Sequence, residues 1–225
     1  MSVFSAFASL VEQLADLLQP LFGATAVAAA IVLFTALVRL LVHPLSRAAA
    51  RGQQAQARLR PQVAELRKRY AKQPEKLQQA VLELHAEEKV SPLSGCLPSL
   101  LQLPAFFLLY RLFSSEGDAL LSHRLFAAPL GGRWADALAE GGVFGAAGLV
   151  YVGLFLVAAV VAAFTCVRTR RMAADGSAVE SAVGKAMPYL SFFTLFTVAV
   201  VPLAAALYVV TSATWSAVER VVLYR

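Results

Sequence analysis

The sequence predicts an all-α polytopic membrane protein with five spanning helices, and three observations carry that expectation. Of its 225 residues, 59% are hydrophobic and 15% charged, with a mean hydropathy of +0.65, which is too apolar for a soluble domain. The apolar residues fall in long runs rather than at alternating or 3.6-residue positions. The basic residues concentrate between those runs, in 45–90 and just after residue 167, and such loops stay on the cytoplasmic side.

In chain order, residues 1–22 place Val3, Phe7, Leu10, Leu14, Leu17 and Leu21 on one helical face, with Ser5, Ser9, Glu12, Asp16 and Gln19 elsewhere. This is the pattern of an amphipathic helix lying in an interface. Its charged residues are Glu12 and Asp16 rather than the basic start of a signal peptide, so it reads as mature structure on the outer face, a unit apart from a core over 23–225.

The first span, residues 24–44, is long enough at ~1.5 Å per residue to cross a ~30 Å hydrocarbon core. It carries one fixed charge, Arg39. An arginine within a span costs about 2.5–3.5 kcal/mol at the centre and cannot be relieved by deprotonation. Two readings stand at this point: the long stem snorkels to the interface near His43, or the guanidinium meets water, an anion or a partner.

Residues 45–90 hold ten of the twenty basic residues against five acidic ones, which puts them in the cytoplasm. Leu59, Val63, Leu66 and Tyr70 recur at helical spacing, as do Leu77, Val81 and Leu84, with Gln73-Pro74 between the runs. The pattern predicts a helical hairpin whose first arm begins or kinks at Pro61. Its basic residues Arg58, Arg60, Arg67, Lys68, Arg69 and Lys72 either signal topology alone or form a docking arm for a ribosome, a targeting receptor or lipid headgroups.

The second span, 93–113, contains Pro98, Pro104, Gln102 and Arg111. These suit either a wall facing water or protein, or ordinary interhelical packing. Residues 114–142 have no positive excess and belong outside. Residues 143–167 are an uncharged span anchored inside by Arg168, Arg170 and Arg171. Residues 186–218 are uncharged over ~50 Å as one helix, too long for a single span, so Pro202 divides them into a hairpin of two short spans. The chain thus starts outside and ends in the cytoplasm. Thr194, Thr197, Tyr208, Thr211, Ser212, Thr214 and Trp215 gather in these last spans.

Cys96 and Cys166 fit no metal or redox spacing and are expected as free thiols at cytoplasmic span ends; the three histidines add no metal site. No Walker-type, GxSxG or HExxH motif occurs. The chain is therefore not expected to be an enzyme, and no cofactor or metal is expected.

Several stretches together resemble the YidC-type membrane protein insertases, a family with mitochondrial and chloroplast members. They are VRLLVHPLS at 38–46, LRPQVAELRKRY at 59–70, SPLSGCLPSLLQLPAFFLLYR at 91–111, and MPYLSFF with PLAAALYVV at 187–210. The block at 91–111 is the most specific.

The resemblance implies five core helices around a hydrophilic groove open to cytoplasm and lipid, with Arg39 as the groove arginine and Gln102, Tyr208, Thr211, Ser212 and Trp215 on its walls. The family's Pro-Ala-Gly-Leu-x-Leu-Tyr-Trp pattern stands here as Pro202-Leu-Ala-Ala-Ala-Leu-Tyr208-Val209, without the aromatic at 209. The implied function is insertion of membrane proteins in a bacterial plasma membrane, without ATP. Implied partners are nascent membrane proteins, membrane lipids, and as candidates the ribosome, the Sec translocon and the signal recognition receptor, with no sequence-specific nucleic acid binding. The sequence reads without a lipoprotein segment or a long basic tail, so ribosome contact is expected to rest on 45–90 and 168–185. An assembly scaffold and a small transporter or channel are the competing functions; the halves show no inverted repeat, which a transporter usually has.

Overall fold

The computed structural model describes residues 3–90, 121–174 and 187–223. The expected second span, with Cys96, Gln102 and Arg111, lies outside the described residues.

Helix α1 (Val3–Phe22) is joined to α2 (Ala26–Arg69) by a single 3-10 turn, Gly23–Thr25. Gly23 takes φ +52, a left-handed conformation that a side chain would strain, which is what lets the chain turn between the helices. Val11 and Ala15 of α1 bury themselves against Val27, Ala28 and Ala30 of α2. The face that packs on α2 is not the leucine face expected to meet an interface. Leu10, Leu17 and Leu21 are exposed, Leu17 by 72%, because the close helix contact takes the narrower Val11–Ala15 face and leaves the leucine face outward.

Helix α2 runs unbroken for 44 residues, about 66 Å. The break between the two arms falls at residues 70–73, where Gln73-Pro74 predicts it, but the first arm does not begin at Pro61: the first span and that arm are one helix, with Pro44 and Pro61 both inside it. Each proline removes one N–H and frees one carbonyl. Both are exposed, so the cost falls where other partners can reach the backbone. The second arm, α3 (Pro74–Glu87), starts with Pro74 in its first turn, where the missing N–H costs nothing, and it buries no residue.

Residues 121–145 form a compact cap. A two-residue antiparallel ladder pairs β1 (Arg124–Leu125) with β2 (Ala128–Pro129), followed by α4 (Trp134–Gly141), whose start is fixed by the Arg133 N–H donating to Asp136 Oδ2 at 2.9 Å. Trp134 stacks edge-on against Phe155 at 5.3 Å and tilts over Tyr151 at 5.7 Å, both on α5 (Ala146–Ala174).

The last apolar stretch breaks where Pro202 predicts. A 3-10 turn (Met187–Phe192) leads into α6 (Phe193–Val200), and α7 (Leu203–Leu223) starts directly after the proline. The break is closed by the cap: Leu203 N–H donates to Gly132 O and Ala204 N–H to Leu130 O, both at 2.9 Å. Tyr151 Oη–H donates to the same Gly132 carbonyl at 2.5 Å. First-turn amides that would otherwise be orphaned deep in the bundle are thereby satisfied. Around them Ala30, Ala128, Leu130 and Leu203 are fully buried.

Among the described residues, two helical stretches are long and apolar enough to cross a membrane, the run through α1 and α2, and α5. Helix α7 is more polar, yet it buries Leu203–Leu207, Val210, Ser212 and Ala217. A polar helix enclosed by other helices faces protein or water rather than lipid.

Candidate functional site

Arg39 projects from α2 toward α7, about 20 Å along from the start of α2. Its Nε donates to Ser212 Oγ at 3.0 Å, and Nη2 donates to the same oxygen. Ser212 is buried. One turn on, His43 Nδ1 meets Glu219 Oε1 at 2.6 Å, with the histidine side chain 32% exposed and the carboxylate 10%. Among the described residues Glu219 pairs with His43, and no carboxylate lies within ion-pair distance of Arg39.

The seam has a simple periodic basis. On α2, Thr35, Arg39, His43, Arg47 and Arg51 follow one another at intervals of four, which keeps them on one slowly turning stripe. On α7, Tyr208, Ser212, Trp215 and Glu219 follow at four, three and four, a single face. Thr35 is buried and satisfies itself by donating to Ile31 O at 2.7 Å, and Ser216 donates to Ser212 O at 2.9 Å. Trp215 Nε1 is buried and has no hydrogen-bond partner among the described residues, a cost of about 1–3 kcal/mol unless something accepts from it. Beyond His43, a cavity of about 400 Å³ is lined by Pro44, Arg47, Ala50, Arg51 and Gln54. Cationic side chains therefore continue from Arg39 along α2.

Of the wall residues expected from sequence, Ser212 is brought to Arg39, while Tyr208, Thr211 and Trp215 are half-buried on the same helix. Gln102 lies outside the described residues. Arg58, Arg67, Arg69, Lys68 and Lys72 are exposed on the far part of α2 and the turn after it, and the Arg60 side chain lies outside the described residues. Cys166 is a buried free thiol. Sequence reasoning missed Glu219, and it counted Arg47 and Arg51 only as loop charges. The i, i+4 recurrence from Thr35 to Arg51 is a signal that was available; the pairing of His43 with Glu219 across 176 residues was not. No group of three or more His, Cys, Asp and Glu side chains converges among the described residues.

The fold and seam define a class: a helical membrane protein with a cationic polar seam between two helices, closed at one end by an apolar cap. The family model described as 60Kd inner membrane protein matches residues 17–225. The chain belongs to that family, the YidC-type proteins of the bacterial cell membrane. It is 45% identical over 84 residues to a protein named membrane protein insertase YidC from Clostridium perfringens (strain 13 / Type A), a match covering 37% of this chain and 35% of that protein. Proteins of the same name from Shewanella woodyi (strain ATCC 51908 / MS32) and Xanthomonas campestris pv. campestris (strain 8004) are 44% identical over 82 residues and 43% over 81. Each match covers 36% of this chain, and 15% and 14% of the relative. The matched stretch is thus a minor part of each relative.

Proposed function

We propose that this protein is a membrane protein insertase that moves short hydrophilic segments of substrates across the bilayer through the seam between α2 and α7 and releases their apolar helices into lipid. The observation that carries the reading is the Arg39 guanidinium held against the buried Ser212 hydroxyl, with no carboxylate beside it among the described residues. An arginine neutralised by its own fold would have no charge left to offer. This one is positioned by a neutral hydroxyl and keeps its field for an incoming anion.

In this reading the cap at 121–145 is the outer end, α1 lies in the outer interface with its leucine face to lipid, and Arg47 and Arg51 stand at the cytoplasmic mouth. Five spans surround the groove, with the N-terminus outside and the C-terminus inside. An acidic tail is drawn along Arg51, Arg47 and Arg39. A polar path partway through the bilayer shortens the stretch over which unpaired peptide groups cost several kcal/mol each. Partition of the substrate's apolar helix into lipid drives the step, and the membrane potential adds ~2.3 kcal/mol per charge per 100 mV for an acidic tail moving outward. Nascent membrane proteins are the substrates. The exposed basic arm from Arg58 to Lys72 is the docking surface for a ribosome, the Sec translocon or a signal recognition receptor.

The test is insertion of a single-span substrate with an acidic translocated tail, beside the same tail neutralised. Arg39→Lys keeps most of the activity, Arg39→Ala loses it for the acidic tail, and Arg39→Glu does worse. Equal insertion of the acidic tail by Arg39→Ala and the parent, at equal protein level, ends the electrostatic reading and leaves Arg39 as a packing partner of Ser212. Cysteines placed at 39, 102 and 212 should react from the cytoplasmic side alone. Reaction from both sides points to a transporter, and from neither to a scaffold.

A further inference from the structure

A second cavity lies away from the seam, where α5, the 3-10 turn before α6, α6 itself and α7 meet near their basic ends. Its volume is about 140 Å³, room for roughly five waters at ~30 Å³ each, or for a phosphate with part of a glycerol. Its chemistry is graded with depth. Helices α5 and α7 both run toward the basic end and α6 runs away from it, so Ala158, Ala162, Val210 and Ala213 line the deep part. Thr165, Ser191, Ser216 and Arg220 line the part nearest the basic end. Alanines spaced by four on one helix normally let a neighbouring helix approach closely. Here the space they leave remains open.

The rim is cationic. Arg220 is exposed. Arg168 reaches across from α5 and donates to the Arg220 carbonyl at 2.9 Å, which brings a second guanidinium to the end of α7. Arg170 lies over the Tyr189 ring, 4.7 Å from its centroid, and donates to the Tyr189 hydroxyl. Among the described residues, no carboxylate lines the cavity. The hydroxyls of Thr165 and Ser216 donate to carbonyls of their own helices at 2.8 and 2.9 Å, so they offer the space oxygen lone pairs, which can accept from a hydroxyl of a bound headgroup.

We propose that this cavity is a binding site for one anionic phospholipid of the leaflet at the basic end, with its phosphodiester at Arg220 and its glycerol and first methylenes among the alanines. The apolar depth is what selects a lipid over a free phosphate, since inorganic phosphate has nothing to place there. The arginine rim is what selects an anionic headgroup over a zwitterionic one. The site needs the chain to be in a membrane, but it does not depend on the insertase reading.

The experiment is native mass spectrometry of the purified full-length chain in detergent with added phosphatidylglycerol or phosphatidylethanolamine. The parent should retain one phosphatidylglycerol in preference to phosphatidylethanolamine. Arg220→Gln should lower that occupancy at least fivefold. Ala213→Leu, which fills the cavity and leaves every charge in place, should lower it as much; Ala162→Val is the milder replacement if Ala213→Leu is not monodisperse. Lys76→Gln on α3 should change nothing. Full retention by the cavity-filled variant would reduce the effect to surface charge and overturn the site. Displacement of the lipid by millimolar inorganic phosphate would make it a phosphate site, and displacement by an acidic peptide would assign it to substrate; either outcome also overturns the proposal.

Discussion

At the capped end of the bundle, Ala30, Ala128, Leu130 and Leu203 are fully buried, and the hydrogen bonds that tie the cap to α5 and α7 run from backbone amides and the Tyr151 hydroxyl to backbone carbonyls. At the basic end, side chains bridge α2 to α7 instead: Arg39 to Ser212 and His43 to Glu219, with the histidine a third exposed. Both ends join α2 to α7, by different means. Apolar burial gives an end that is costly to open, because each separated surface must be rehydrated. A polar seam can exchange its internal partners for water or a ligand at little net cost, since the net worth of one hydrogen bond is about 1 kcal/mol. In the proposed reading, a bundle closed at one end and exchangeable at the other would admit a substrate chain from one side only.

The largest effect is expected at Leu130. Leu130→Ala should destabilise the protein by about 2–5 kcal/mol, the range for emptying a fully buried leucine site. Thermal unfolding in detergent measures it, and an unchanged melting curve would mean that the cap does not hold the bundle together. Next comes Arg39→Ala, which should lower insertion of an acidic-tailed substrate at least tenfold, about 1.4 kcal/mol, and should leave the melting curve near that of the parent. If the two variants exchanged phenotypes, with Leu130→Ala losing insertion at full stability, the division between a structural end and a working end would be wrong.

A smaller effect sharpens the seam itself. A double-mutant cycle on His43→Gln and Glu219→Gln should give a coupling of about 1 kcal/mol, above the usual exposed pair because the carboxylate is largely buried. Unfolding midpoints in denaturant read it out. A coupling of zero would mean that the pair is a contact without consequence and that Arg39 and Ser212 alone set the seam.

How much of this was legible in the sequence depends on how local the cause is. The Pro202 break was, because 33 uncharged residues are too long for one span and the proline stands near their middle. Arg39 stood out because a single fixed charge in an apolar run is anomalous by itself. The continuity of α2 through Pro44 and Pro61 was not legible, since local propensity favours a break and only the placement of both prolines on an exposed face removes the penalty. The face by which α1 meets α2 was not legible for a related reason. The leucine face has the stronger periodicity, but close approach to α2 favours the smaller Val11 and Ala15. Nor could the closure of the α7 start by Gly132 and Leu130 carbonyls be read from sequence, because backbone partners 70 residues apart leave no pattern.

The smallest effect is expected in a region that belongs to neither end. Helix α3 buries no residue, and Leu82 on it is 54% exposed. Leu82→Ala should therefore change stability by less than about 0.5 kcal/mol, the range for surface positions. Alanine is also the slightly better helix former, so the sign can be favourable. A loss above 1 kcal/mol in the purified protein would show that the arm packs its leucines against the bundle, and α3 would then belong with the cap as a structural element. If stability holds while insertion of ribosome-bound nascent chains falls, the exposed leucine serves a partner. That result would make α3 a third kind of region, neither sealed nor self-bridged but completed from outside.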